Sequence, residues 1–337
     1  MVSFACNALA DAPPAPATPL RIVAFNVEIL KAPGVRQGEF DKFRSDHARA
    51  AHLARVADVI ETLNPDVLNL EEVISKESID ALVDILHAKG LTAYRGYHIE
   101  NNDSYSGMDV ALISKIAPDV VDGQPIRTYN SEADDPTWRQ SFSFIGYSGD
   151  RMTRTTSLSR NAVYFMTVAG HKLGFFGLHL KSNPSDQYAN AKRTAQAKVA
   201  QRVLRGEIAS RGYLPVVLGD LNDYDPDVPD RDDTRDTATD TLRMLKDYDA
   251  DRPGDELMNA ASRIARQEDR YTSHWDWNEN GARDPQDVKT MIDHILLPQQ
   301  LAPYIQRVFI CRGVGLDTSD HYPVVVDLLL PQVEAEP

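Results

Sequence analysis

Short apolar runs recur down this chain, and most of them stop on a side chain that can ionise or hydrogen-bond. RIVAFNV carries Asn26, PDVLNLEEV ends on Glu71 and Glu72, GFFGLHLKSN runs into His179, VVLGDLND closes on Asp220 and Asn222, and MIDHILL opens on Asp293. Apolar runs of about four to eight residues bounded by turn formers read as buried strands. A charged group at the end of a buried strand is costly without a partner or a task, so a chain that repeats the pattern is expected to build one site from many strand ends.

Strands are predicted over 21–27, 66–70, 109–113, 163–168, 172–179, 215–219, 291–297, 307–311 and 323–328. Helices are predicted over 46–63, where Leu53, Val56, Ala57, Ile60 and Leu63 fall at helical spacing, over 79–88, and over 186–205, an amphipathic stretch without Gly or Pro. Segments 119–160 and 224–241 are rich in polar and turn residues and read as surface loops or insertions. At 337 residues with a hydrophobic fraction of 42%, the chain has material for a large core.

Charge sets further bounds. Asp and Glu outnumber Lys and Arg by 50 to 36, a formal net charge of -14, which argues against a stable nucleic-acid complex held by many phosphate contacts. Turnover of a phosphate ester stays open, because a bound metal ion can supply positive charge locally. No apolar run reaches the roughly 18 to 20 residues of a membrane span. Two cysteines give no disulfide framework. MVSFACNALA, with Ala8-Leu9-Ala10 as an A-x-A site before a Pro/Ala stretch, is similar to the tail of a secretory signal, so residues 1–20 read as a leader and linker and a periplasmic or extracellular location is expected. The charged start and most of the apolar region of such a signal are missing, which leaves a cytoplasmic protein with a Pro-rich leader as the alternative.

The polar residues themselves suggest chemistry. Asp220 and Asn222 stand two apart and in extended chain face one side, although Gly, Asp and Asn also form turns. Asp293 and His294 interrupt an apolar strand, and Asp320 and His321 precede another. Of the adjacent Glu71 and Glu72, strand alternation sends one into a site and the other toward solvent or a basic side chain. His179, Lys181 and Asn183 share a period of two; a core histidine and a polar surface face are the alternatives.

Taken in order, Asn26, the EE pair, HLKSN, GDLND, IDH and SDHYP resemble the endonuclease/exonuclease/phosphatase superfamily, which includes DNase I-like nucleases, sphingomyelinases and inositol-polyphosphate phosphatases. The resemblance runs from Asn26 to Pro323. It implies a four-layer α/β sandwich, two mainly antiparallel β-sheets face to face with helices on both outer faces, as a single catalytic domain over 21–330 followed by an acidic tail over 331–337, and a monomer is expected. It implies Mg²⁺, with Mn²⁺ able to replace it, held by Glu72 together with Asn26 and Asp320. Glu71 stands where the family carries Gln, adding negative charge beside the metal. Asp220 and Asn222 would position nucleophile and phosphate, Asp293 would orient His321, His179 would be the second histidine, and Arg160, Lys181 and Asn183 would face phosphate. The implied activity is metal-dependent phosphoester hydrolysis by in-line attack of water, foremost a nuclease-type phosphodiesterase. A small or lipid-derived phosphoester such as an inositol phosphate or sphingomyelin is the alternative, and a non-catalytic binding module with the same fold a more remote one. No aromatic-rich hairpin of membrane-docking type stands out, which disfavours a sphingomyelinase.

One further window, DWNENGARDPQD, places Asp276, Asn278, Asn280, Asp284 and Asp287 at positions 1, 3, 5, 9 and 12 of a calcium-type loop, with Gly281 at position 6. It reads either as a structural Ca²⁺ loop or as an Asn/Gly/Asp turn. Trp275 and Trp277 are expected to overhang the phosphate site, since the loop leads toward Asp293.

Overall fold

The structure, a computed structural model, describes residues 17–39, 49–130, 136–278 and 280–333. Strand β1 (Ala17–Leu30) carries the first apolar run and lies inside a six-stranded sheet. Its neighbours are β15 (Val324–Pro331) on one side and β2 (Val67–Val73) on the other, with β14 (Ile305–Ile310), β4 (Asp109–Ser114) and β3 (Arg95–His98) completing the order β14-β15-β1-β2-β4-β3. Sheet two runs β10-β13-β9-β8-β7, from β10 (Leu257–Asn259) through β13 (Asp293–Pro298), β9 (Leu214–Asp220) and β8 (His171–Leu178) to β7 (Asn161–Val168).

Each sheet is antiparallel except for one pair, β1/β2 in the first and β8/β9 in the second. A parallel pair needs a crossover, and here helices supply it. Helix α1 (Arg49–Leu63) joins β1 to β2, and α3 (Gln187–Val203) joins β8 to β9; α2 (Lys76–Ala88) and α4 (Thr241–Lys246) follow β2 and β9. Local chemistry ends and starts these helices. Asn64 takes the left-handed conformation after α1, ahead of Pro65, and the Ser75 and Asp186 side chains accept from Ser78 N and Ala189 N at the starts of α2 and α3.

The layers follow from the packing. One core cluster combines Val56, Ile60 and Leu82 of α1 and α2 with Phe25 and Leu70 of sheet one and Tyr164, Phe175 and Leu218 of sheet two. On the far side of sheet two, Phe165, Phe176, Val217 and Leu296 lie with Ala197, Ala200 and Val203 of α3 in a second cluster. The order is helix, sheet, sheet, helix, the expected four-layer sandwich. The sheets touch closely at Gly177, where a Cβ would sit 2.0 Å from Asn69 Oδ1.

Three expectations change. Strand β1 begins at Ala17, pairing with Pro331, so the end of the expected linker and the first residue of the expected tail belong to the sheet. Pro19 is tolerated because β2 joins β1 only from Ile22 onward, leaving that stretch paired on one side. Segment 119–160, expected as a loop, contains the hairpin β5 (Gln140–Ile145) and β6 (Arg151–Thr156). A second short hairpin, β11 (Ser273–Trp275) and β12 (Val288–Thr290), frames the DWNENGARDPQD window. Ala8-Leu9-Ala10 and the first three residues of the expected helix 46–63 lie outside the described residues.

Candidate active site

Strand register brings the polar ends together. Within sheet one Asn26 pairs with Glu71, and within sheet two Asp293 pairs with Asp220. Asn26 then bridges the sheets, its buried Nδ2 donating to Asp220 Oδ2 at 3.1 Å and to Glu72 Oε1 at 3.3 Å. The other Glu72 oxygen, Oε2, accepts from Ile29 N. Asp220 Oδ1 accepts from Asn222 N at 3.0 Å, and Asn222 has a left-handed backbone, so GDLND is both strand end and turn.

Asp293 holds His321. The Nδ1 of His321 lies 2.8 Å from Asp293 Oδ2 and 3.0 Å from Oδ1, and its Nε2 is 3.8 Å from Asp320 Oδ1. The Ser319 hydroxyl accepts from His321 N and donates to Asn26 O, fixing the SDH turn to β1. Burial works against charge on His321, but Asp293, Asp320 and Asp220 outweigh it and hold the imidazolium well above the usual histidine range. His179 is the opposite case. Buried, and beside Arg160, His321 and Lys181, it is held well below that range and stays neutral. Its Nε2 is 3.5 Å from Asp220 Oδ2 and 3.1 Å from Arg160 Nη1. Two histidines in one site with oppositely shifted pKa values can divide proton donation and acceptance between them.

A cavity of about 610 Å³ opens beside these residues, lined by Glu28, Glu72 and Asp320 and by Arg160, Lys181 and Lys192, with His179. Its acidic members crowd one another. Burial, Asp320 and Glu72 push Glu28 up to about 7, and burial, Asp293 and Glu72 do the same to Asp220. Burial and Asp320 also raise Glu72. Carboxylates that raise one another's pKa are a set of hard oxygen donors suited to a divalent cation, which would relieve the repulsion. Asp220, Asp293 and His321 also offer ligand atoms within 4.8 Å of one another. The basic members crowd too: burial lowers Lys181 and Lys192, and Arg160 lowers both further, only partly offset by Asp103, which lines the same cavity 3.6 Å from Arg160 Nε.

Most of the expected residues thus meet: Asn26, Glu72, Arg160, His179, Lys181, Asp220, Asn222, Asp293, Asp320 and His321. Asn183 does not line the cavity; its left-handed backbone ends the extended run, and its Oδ1 accepts from Ser185 Oγ. Glu71, expected to face solvent or a cation if Glu72 entered the site, is instead fully buried between the sheets. The left-handed backbone of Glu72 breaks the alternation that would have separated the pair. Glu71 Oε1 accepts from Asn69 Nδ2, Asn69 Oδ1 accepts from the Tyr164 hydroxyl, and burial with Asp293 and Asp220 nearby pushes the Glu71 carboxyl well up.

The Asp276–Asp287 window closes on itself. Asp276 Oδ2 accepts from Gly281 N, and Asn278 and Asn280 both donate to Asp284 Oδ2. Asp287 accepts from Asp284 N and Trp277 N of the loop and lies 2.6 Å from Nε2 of the buried His274, so position 12 ties the loop to the protein beneath it. The window forms the tip of a β-hairpin, without the flanking helices of an EF-hand. Trp275 and Trp277 are exposed, and neither lines the cavity. Sequence reasoning missed Glu28 and Lys192. Glu28 follows the apolar run of β1 directly, a signal of the kind used elsewhere, whereas Lys192 lies on α3 with nothing local to mark it.

The family model described as "Endonuclease/Exonuclease/phosphatase family" matches residues 24–321. Among curated proteins no relative matches. Similar solved structures include truncated Caenorhabditis elegans TDP2, 15% identical with a TM-score of 0.55, covering 92% of this chain and 98% of that one. D. rerio TDP2 complexed with single strand DNA product is 17% identical, TM-score 0.53, covering 92% and 98%. The 3'-5' exonuclease (NExo) from Neisseria meningitidis is 17% identical, TM-score 0.53, covering 92% and 99%. At these identities the structural likeness speaks for the fold.

Proposed function

This chain belongs to the endonuclease/exonuclease/phosphatase family, whose members are metal-dependent phosphoesterases, and from that premise we propose that it is a Mg²⁺-dependent phosphodiesterase of nuclease type. The observation that carries the reading is the meeting of Asp220, Asp293–His321 and Glu72 at one end of both sheets, beside a cavity with an acidic and a basic set of side chains. Glu72, with Asn26, Asp320 and Glu28 around it, would hold Mg²⁺ or Mn²⁺, which when bound supplies charge stabilisation for the phosphoryl oxygens.

The rest of the work falls to the chain's own groups. Asp220, held by Asn26 Nδ2 and Asn222 N, is an acceptor for the attacking water. His321, fixed through Nδ1 by Asp293, holds or moves a proton at Nε2, and neutral His179 is available for the complementary transfer. Arg160, Lys181 and Lys192 bind the phosphate, and Asn222 completes the turn that sets Asp220. The net charge of -14 favours a second reading, a small or lipid-derived phosphoester as substrate.

The test is hydrolysis of an aryl phosphodiester, plasmid DNA, RNA, sphingomyelin and inositol phosphates in Mg²⁺, Mn²⁺ and Ca²⁺. His321→Ala and Asp220→Ala should each lower Mg²⁺-dependent diester turnover by about 10²-fold or more. Wild-type rates in both variants would remove the mechanism; turnover of monoesters alone would replace the diesterase reading.

A further inference from the structure

The β5–β6 hairpin stands on α3 and leaves a cleft of about 580 Å³ beside it, lined by Phe144, Ile145, Tyr147, Met152, Arg154 and Tyr188, among others. Phe142 and Phe144 of β5 pack on Tyr188 of α3, with ring centroids 5.7 and 4.9 Å apart, so the aromatic floor is held in place. Above it Tyr147, at the hairpin turn, is fully exposed, and Ile145 and Met152 are exposed as well. Arg151 and Arg154 of β6 are exposed and make no ion pair among the described residues, although the chain is strongly acidic. One carboxylate, Asp186, lines the cleft, and it is engaged as the cap of α3, where its Oδ1 accepts from Ala189 N.

The cleft adjoins the cavity described above. Strand β6 ends at Thr156, and Ser159 and Arg160, which line that cavity, follow almost at once. On α3, Tyr188 lines the cleft and Lys192 lines the cavity, one helical turn or about 6 Å further along the same face.

We propose that the cleft between the β5–β6 hairpin and α3 is a binding site for an unpaired nucleobase, which seats a single-stranded nucleic acid with its phosphates running from Arg154 toward Arg160, Lys181 and Lys192. This rests on the phosphodiesterase reading and names its substrate class. A single strand offers what the surface matches: a flat apolar face for Tyr147 and Tyr188 and phosphates for Arg154, which has no ion pair among the described residues, and for Arg160, Lys181 and Lys192, where Asp103 3.6 Å from Arg160 Nε is the carboxylate they outnumber. A duplex hides its base faces in the stack, and a bilayer would meet the hairpin edge without filling the cleft.

The test is binding of a labelled oligothymidylate to the full chain in EDTA, where cleavage plays no part. Tyr147→Ala and Tyr188→Ala should each weaken binding about tenfold, and an abasic oligomer of equal length should lose a similar factor against the wild type. Arg154→Ala should reduce the slope of log affinity against log salt by about 0.7. Arg307→Ala, which removes an exposed cation from the edge of the other sheet, should leave binding at the wild-type level. Thermal melts of each variant separate lost contacts from lost folding, and Tyr147, being fully exposed, carries the result if Tyr188→Ala melts early. Equal binding by wild type and the folded hairpin variants overturns the proposal, as does capture of anionic vesicles through Tyr147 with no oligomer binding. If the oligomer binds through these residues yet stays uncut in Mg²⁺, the binding site stands and the nuclease reading falls.

Discussion

Gly219 shows what one position of this site demands. Its φ is +123°, and a Cβ there would stand 2.3 Å from Leu178 O and 2.6 Å from Glu71 Oε1. Both neighbours are buried, and the next residue is Asp220, so neither a strained backbone nor a shifted Glu71 could leave the carboxylate where it is. Gly219→Ala is expected to cost about 1–3 kcal/mol or more in urea unfolding and to lower diester turnover. An unchanged midpoint with wild-type turnover would show that the close approach is not a constraint. At this scale the sequence was readable where an ionisable residue bounded an apolar run, ending it at Asp220 and opening or preceding it at Asp293 and His321. It misled at Glu71 and Asn183, where period-two reasoning assumed extended backbone, and left-handed residues at Glu72 and at Asn183 itself break the period.

Among elements, α3 is tied to two strand ends by a single buried arginine. Arg193 Nε donates to Asp223 Oδ2 at 3.0 Å, its Nη1 to Lys181 O at 2.8 Å and its Nη2 to Asn190 Oδ1 at 2.5 Å, and its side chain has no exposed surface. Asp223 also accepts from Thr239 N and Tyr224 N, so the GDLND turn, the loop after β8 and the segment leading to α4 share one anchor. Arg193→Met leaves the Asp223 charge buried without its partner and should destabilise the fold by about 3–5 kcal/mol, read from denaturant midpoints, and raise KM for the diester by loosening Lys181. A loss below about 1 kcal/mol, the worth of a surface pair, would mean that solvent reaches Asp223. The amphipathic pattern of α3 was legible; that it crosses between the parallel strands β8 and β9 was not. The β5–β6 hairpin was not legible either, because the aromatic face of its alternating QSFSFI packs on α3 and not between the sheets, and most of β6 is exposed polar residues.

For the molecule as a whole, the crowded carboxylates set the pH dependence. Glu28 and Asp220 are pushed up to about 7 from ordinary values of 4.5 and 3.8, and Glu71, Glu72 and Asp109 are raised too, so between roughly pH 4 and 7 these carboxyls bind more protons in the folded state than in the unfolded one and outnumber the two histidines, His179 and His294, whose lowered pKa acts the other way. Stability of the EDTA-treated protein should therefore fall as pH rises through that window, and the loss of the His321 proton at higher pH acts in the same direction. A cation at these carboxylates opposes the trend, so Mg²⁺ should raise Tm more at about pH 7 than at about pH 5. A metal-free Tm that is flat or rising over the window would contradict this account of the site. By itself the sequence determined most strands of the two large sheets, the three longer helices and the family's order of polar strand ends, because those depend on local periodicity and on neighbours along the chain. Only the tertiary structure decided that Glu28 and Lys192 join the site, that Glu71 lies between the sheets, that Asp287 turns onto His274, and that Arg154 and Tyr188 share a cleft. Each of these depends on which surfaces two sheets and a helix bring within a few ångströms, a distance that spacing along the chain does not encode.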